Sequence, residues 1–142
     1  MREIEFRGKR VDNGEWAYGY YCKATRHWHK YGIHNDWIIT SAFQNGGFFN
    51  VMERYAVIPE TVGMWTGLTY KNGKKIFEGD IVKVKNCETF VIKYRHNEFR
   101  FIPICNAYTF LQAHEYKESD FEVIGNIYDN KELLEVVNEN TK

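Results

Sequence analysis

Cysteine is scarce in this chain and badly spaced for chemistry: Cys22, Cys87 and Cys105 lie far apart and form no C-x-x-C pair. An odd number without close spacing argues against a disulfide framework and fits a reducing compartment. Proline occurs only twice, so proline-rich linkers and ligand segments are excluded. No apolar run approaches the length of a membrane span, and the N-terminus has no signal-like apolar stretch. Net charge is also missing, with 19 basic and 19 acidic residues. That balance makes a basic surface for an anionic partner the weaker reading of the charges. The reading from these absences is a soluble, cytoplasmic protein.

Aromatic residues are plentiful, at 17% of 142 residues, and apolar types reach 44%. That is ample material for the core of one domain, or of two small subdomains. The charge is unevenly spread. Residues 1–100 hold 16 Lys/Arg against 11 Asp/Glu, and residues 101–142 hold 3 against 8.

Turn signals divide the chain into short strands. Asn72-Gly73 is a strong hairpin signal because both residues tolerate positive φ. Glu78-Gly79-Asp80 then forces a second bend before Ile81-Val82-Lys83-Val84, and Asp80 is expected to bond local backbone N–H groups. Near the start, Ile4 and Phe6 alternate with charges, and Asp12-Asn13-Gly14 turns into a run in which Trp16, Tyr18 and Tyr20 share one face. Gly19, within that run, signals a bulge or a close backbone approach. Lys23 to Asp36 reads as an excursion, and Trp37–Thr40 as a strand. Asn45-Gly46-Gly47 is a further turn, leading to Phe48–Val51. Tyr55–Ile58 is another strand, closed by Pro59, and Pro59–Gly63 is either a turn or one helical turn. Further strands are expected at 90–94, 99–102 and 121–128. A short helix fits residues 107–116, and a terminal helix, capped by Asn130, fits Lys131 to Val137. Many short strands with Asn-Gly turns predict a mainly β, barrel-like fold with minor helix. The expected organisation is one domain over 1–142 with possible subdomains 1–58 and 59–142.

Catalytic chemistry is thinly represented. His27, His29 and His34 form the single metal-like cluster, with alternate histidines projecting to one side, and a partner-facing surface loop explains them better. Gly67 to Lys74 fails as a phosphate loop, because five residues separate Gly67 from Gly73 and Lys75 stands where Ser or Thr belongs. Glu78 and Asp80 flank a glycine in a turn, which gives them a structural role and not that of a tuned acid pair. Ser41 and Ser119 lack an elbow-like glycine frame, and no cysteine has a nearby histidine. The expectation is no enzyme activity, no catalytic residues and no cofactor.

Binding is better represented. Residues 71–100 carry eight cations against four acids. Lys83, Lys85, Lys93 and Arg95, with Tyr94 as a stacking ring, are candidates for a nucleic-acid face. The plainer reading is a solvated outer strand face whose lysines discourage edge pairing. Trp28, Trp37, Trp65 and Tyr70 are candidates for contacts with a protein partner, because Trp and Tyr dominate interface hot spots.

Several blocks occur in an order that resembles one family. Ile4-x-Phe6-Arg7-Gly8-Lys9, Gly14-x-Trp16 and Gly19-Tyr20 are similar to the opening of YopX family proteins from bacteriophages and prophages. The resemblance continues through Pro59–Gly63, Thr66-Gly67-Leu68 and Asn72 to Val82. It ends with Val123–Tyr128 and Leu133-Leu134. Residues 23–36 and 86–120 match no block. The resemblance implies a phage or prophage origin in a Gram-positive host, location in that host's cytoplasm, and a small SH3-like β-barrel beside a β-rich N-terminal subdomain. It supplies no catalytic residue. The resulting expectation is a non-enzymatic protein that binds a host or phage macromolecule, one attractive form being an inhibitor of a host defence; nucleic-acid binding through 71–100 is the first alternative, and a metal-dependent enzyme built on His27, His29 and His34 the second and weaker. No membrane partner is expected.

Overall fold

A computed structural model of the chain describes residues 3–23, 35–41, 52–85, 89–104 and 117–134. Trp28, His27, His29, His34, Cys87, Cys105, the Asn45-Gly46-Gly47 turn and the helix expected at 107–116 lie outside the described residues. The chain divides into two compact units, residues 1–64 and 65–142.

Unit 1 is an antiparallel sheet with strands β1 (Phe6–Lys9), β2 (Trp16–Lys23), β3 (Asp36–Ser41), β4 (Met52–Ala56) and the start of β5 (Gly63–Tyr70). The order is β4-β3-β2-β1-β5, with Gly63 and Met64 pairing with β1. The Asp12-Asn13-Gly14 turn forms as its residues predict, with Gly14 at φ 73° and its N–H donating to the Arg10 carbonyl at 3.0 Å. β2 is shared along its length. Residues 16–19 pair with β1 and residues 20–23 with β3. One face of this sheet is the core, where Ala17, Ile38 and Val57 are buried beneath Phe6, Tyr21, Tyr55 and Val62. Each large apolar side chain removed from water contributes about 1.5–3 kcal/mol.

Pro59–Thr61 is a short 3-10 turn, resolving the choice between a turn and a helical turn. Proline at its start forgoes an N–H that such a terminus leaves unpaired. Thr61 fastens the turn to β1: its Oγ1 accepts from the Lys9 N–H at 2.9 Å and donates to the Ile58 carbonyl at 2.6 Å.

In unit 2, β5 continues from Trp65 into a hairpin with β6 (Lys74–Phe77) through Lys71-Asn72-Gly73, where Asn72 and Gly73 take φ values of 63° and 74°. A four-stranded antiparallel sheet follows, ordered β10-β7-β8-β9, from β7 (Asp80–Val84), β8 (Thr89–Arg95), β9 (Glu98–Pro103) and β10 (Phe121–Asn126). β8 and β9 join through His96-Asn97, both at positive φ, which suits a two-residue hairpin. The core combines Ile76 of the hairpin with Val82, Val84, Phe90, Ile92 and Phe121 of the sheet.

The Glu78-Gly79-Asp80 corner works as its residues predict. Gly79 sits at φ 90°, and a buried Asp80 Oδ2 accepts from the Phe77 N–H at 2.8 Å. The Gly79 N–H donates to the Ile92 carbonyl and its carbonyl accepts from the Ile127 N–H, so the bend is tied on both sides.

Two expectations are corrected. The mainly β class holds, but β9 and β10 end the four-stranded order without pairing to each other, so no closed barrel forms among the described residues. Closure needs every edge strand to find a partner. Asn130 does not cap the helical residues 132–134 by its side chain. Its Oδ1 accepts from the Asn126 N–H at 3.1 Å, a site open to it because Gly125 has no Cβ, which would lie 2.5 Å from that oxygen.

Candidate functional site

The face of the unit 1 sheet opposite its core carries a concentrated set of aromatic and cationic side chains. Strand alternation puts Arg7 and Lys9 of β1 beside Tyr18 and Trp16 of β2, in the pairs Arg7↔Tyr18 and Lys9↔Trp16. The next row across the sheet is Tyr20, Ile39 and Arg54, and the one after is Cys22, Trp37 and Ala56. Tyr18 is 45% exposed and Tyr20 62% exposed.

Cations hold the two tryptophans of this face. The Arg7 guanidinium carbon lies 4.4 Å from the Trp16 ring centroid, with Lys9 Nζ at 5.7 Å. The Arg54 guanidinium carbon lies 5.4 Å from the Trp37 ring. Each contact is a cation–π attraction that fixes a ring's tilt. Arg7 is buried in this arrangement, whereas Arg54 is exposed. The middle strand therefore presents two exposed tyrosine rings, with cations on the adjoining β1 and, beyond β3, on β4. Glu5, just before β1, is the neighbouring acid, whereas Glu53 alternates with Arg54 and shares the core side with Tyr55. Glu53 accepts the Tyr55 hydroxyl proton at 2.7 Å, which raises the Tyr55 phenol above its ordinary range.

On the core side of the same sheet, the Tyr21 hydroxyl donates to buried Asp36. That bond, reinforced by burial, pushes the phenol up to about 12. At the sheet edge, Arg10 forms a double contact with Asp12, through Nε at 2.9 Å and Nη2 at 2.6 Å. The pair raises the guanidinium and lowers the carboxylate from their usual values.

Trp37 is thus a half-buried member of the aromatic face. Trp65 and Tyr70 have different surroundings. The Trp65 indole N–H donates to the Leu68 carbonyl at 2.8 Å, and Lys75 Nζ stands 4.6 Å from the ring. Tyr70 is half-buried against the unit 2 core.

The sheet separates Tyr94 from the cations of residues 83–95. The register pairs Lys83 with Thr89 and Glu122, Lys93 with Arg100, and Arg95 with Glu98, placing Lys83, Lys93 and Arg95 on one face. Tyr94 points to the other face, where it meets Phe99 edge-on at 4.9 Å between centroids. A residue and its immediate neighbour on a strand face opposite ways, so Tyr94 does not join Lys93 and Arg95 in one site. Their face also holds the buried Ile81 and Val91, the Arg100–Glu98 ion pair at 2.7 Å, and Glu122. Lys85 follows β7 and is exposed.

Among the described residues, no group of three or more His, Cys, Asp or Glu is placed to hold a metal ion, and no helix is long and apolar enough to cross a membrane. Tyr18, Tyr20 and Arg54 were absent from the sequence-based candidates. Their signal was the alternation Trp16-x-Tyr18-x-Tyr20 beside Arg7-x-Lys9, which places these residues together but does not say which way the face turns.

A two-unit, mainly β chain is the class these features define. The sequence matches the family described as YopX protein over residues 5–135, and the chain belongs to that family. The crystal structure of protein EF1440 from Enterococcus faecalis is similar over 94% of this chain and 99% of that one, with a TM-score of 0.52 and 23% identity. That likeness bears on the fold alone. Among curated proteins, none matches this sequence.

Proposed function

We propose that this protein works by binding a macromolecule, not by catalysis, and that its contact surface is the aromatic, cation-flanked face of the unit 1 sheet. The observation that carries this reading is the exposure of Tyr18 and Tyr20 on one strand, in rows that also hold Arg7 and Arg54, with Lys9 in the next row beside Trp16. Large exposed rings cost solubility and are kept where they bind. Membership of the YopX family supports a phage or prophage setting, in which the partner is a host or phage macromolecule in the bacterial cytoplasm. Inhibition of a host defence is one form such binding takes.

The test is a photo-crosslinking amino acid placed at position 20 of the full chain in bacterial cells, with the same probe at Glu122 as control. A specific adduct from position 20 and none from position 122 supports the reading. Absence of any adduct from position 20 overturns it.

A second reading puts nucleic acid on the unit 2 face bearing Lys83, Lys93, Arg95 and Arg100. The clustering of four cations supports it. Glu98, Glu122 and the buried Ile81 and Val91 on the same face make it the weaker of the two.

A further inference from the structure

We infer that the partner of the unit 1 face is a single-stranded nucleic acid, with bases stacked on Tyr18 and Tyr20 and phosphates drawn to Lys9 and Arg54. This rests on the assignment of that face as the contact surface and adds the chemistry of its occupant.

Ring spacing is the first reason. Tyr18 and Tyr20 are two residues apart on one strand, so the backbone positions that carry their rings stand about 7 Å apart along it. Successive bases of a duplex rise by about 3.4 Å and stay locked in the stack. Rings carried at that spacing instead suit an extended single strand whose bases separate, each lying on its own aromatic plane. Gly19, between the two tyrosines, holds this geometry: it takes φ 156°, and its Cα approaches the Ile39 carbonyl so closely that a Cβ would lie 2.2 Å from that oxygen.

Charge placement is the second. Exposed cations stand to either side of the tyrosine strand, Lys9 on the adjoining β1 and Arg54 two strands away on β4, in one row with Ile39 and Tyr20; Arg7 is buried under this face. A polyanion crossing the middle strand meets positive charge on either side of its bases. Glu53 alternates with Arg54 and faces the other way, so Lys9 and Arg54 are met on this face by the neighbouring Glu5 alone. The charge excess makes an acidic polymer the complementary occupant, and the two exposed rings select one with flat aromatic groups. Trp16 and Trp37 already lie under cations and serve as rigid walls.

The experiment titrates the purified full-length chain into a fluorescent mixed-sequence oligonucleotide, as single-stranded DNA, single-stranded RNA and duplex DNA, at two salt concentrations. The expected result is binding to at least one single strand, weakened by salt and tighter than to duplex. Tyr20→Ala lowers that affinity by about 5- to 150-fold, the loss of one base stack, while Tyr20→Phe keeps the ring and the affinity. Arg54→Ala weakens binding and flattens its salt dependence. Because Tyr20 is largely exposed, its substitution leaves the fold intact, which circular dichroism checks. No salt-sensitive single-strand binding overturns the proposal. So does binding unchanged in Tyr20→Ala, or binding lost instead in Lys93→Glu on the unit 2 sheet. The position-20 crosslink separates the two levels. A nuclease-resistant adduct to a protein overturns the nucleic-acid assignment and leaves the contact surface standing, whereas no adduct removes both.

Discussion

The backbone of Gly19 passes so close to Ile39 that a Cβ on the glycine would sit 2.2 Å from the Ile39 carbonyl oxygen and 3.0 Å from its carbonyl carbon. The contact falls where β2 stops pairing with β1 and begins pairing with β3. A strand that changes partners there needs the two backbones in near contact, and φ of 156° is open to glycine at little cost.

Gly19→Ala is expected to destabilise unit 1 by about 3 kcal/mol or more, because backbone strain adds to a clash that no rotamer relieves. Gly14→Ala is the matched control. It also has positive φ, at 73°, but nothing lies within 4 Å of its Cβ position, so it costs only about 1 kcal/mol. Urea unfolding of the two variants measures the difference.

Thr66 satisfies two backbone groups of the β5–β6 hairpin from a buried position. Its hydroxyl donates to the Ile76 carbonyl at 2.8 Å and accepts from the Leu68 N–H at 3.0 Å. Thr66→Val keeps the shape and loses both bonds, at an expected cost of about 1–3 kcal/mol. Thr66→Ser, which keeps the hydroxyl, loses less. Thermal or denaturant unfolding of the pair separates hydrogen bonding from packing.

The buried carboxylate of Asp80 takes the Phe77 N–H at 2.8 Å and closes the corner before β7. Asp80→Ala leaves a buried donor without that acceptor and costs about 1–3 kcal/mol, and Asp80→Asn, which retains a side-chain oxygen, costs less. Hydrogen exchange at the Phe77 amide is expected to accelerate in the alanine variant.

Tyr21 gives a pH signature. Its phenol, bonded to Asp36, stays protonated up to about 12 in the folded chain, against about 10 when unfolded. A group with a raised folded pKa contributes stability that is full below the unfolded value and lost as pH climbs through the folded one. The stability advantage of the wild type over Tyr21→Phe is therefore constant through neutral pH and falls between about pH 10 and 12. Unfolding curves across that range, with tyrosinate absorbance as the second readout, check it.

The turns were the most legible part of this protein because their causes are local. Asn72-Gly73 and Gly79 take positive φ whatever surrounds them, and Asp80 reaches a donor only three residues away. Alternation likewise grouped Trp16, Tyr18 and Tyr20 correctly. It failed for Tyr94 only where period two was set aside and neighbouring residues were put on one face. Asn130 was misread because a cap and a bond to the Asn126 N–H look alike in sequence, and only the close approach at Gly125 decides between them. Barrel closure depends on which edges meet, and no local signal carries that.

By itself, the sequence determined most of the strands, the corners, the mainly β class and the family, while β4 formed at Met52–Ala56 and not at Tyr55–Ile58. Each of these follows from φ preferences, period-two patterning or ordered motifs, which act over a few residues. Tertiary structure alone decided that the face of Tyr18 and Tyr20 turns to solvent while Ala17, Ile38 and Val57 turn inward. Both faces of β2 carry rings, so hydrophobicity along the strand cannot choose between them. The choice is made by what packs against each face, and that contact joins residues 17, 38 and 57 across three separate segments of chain.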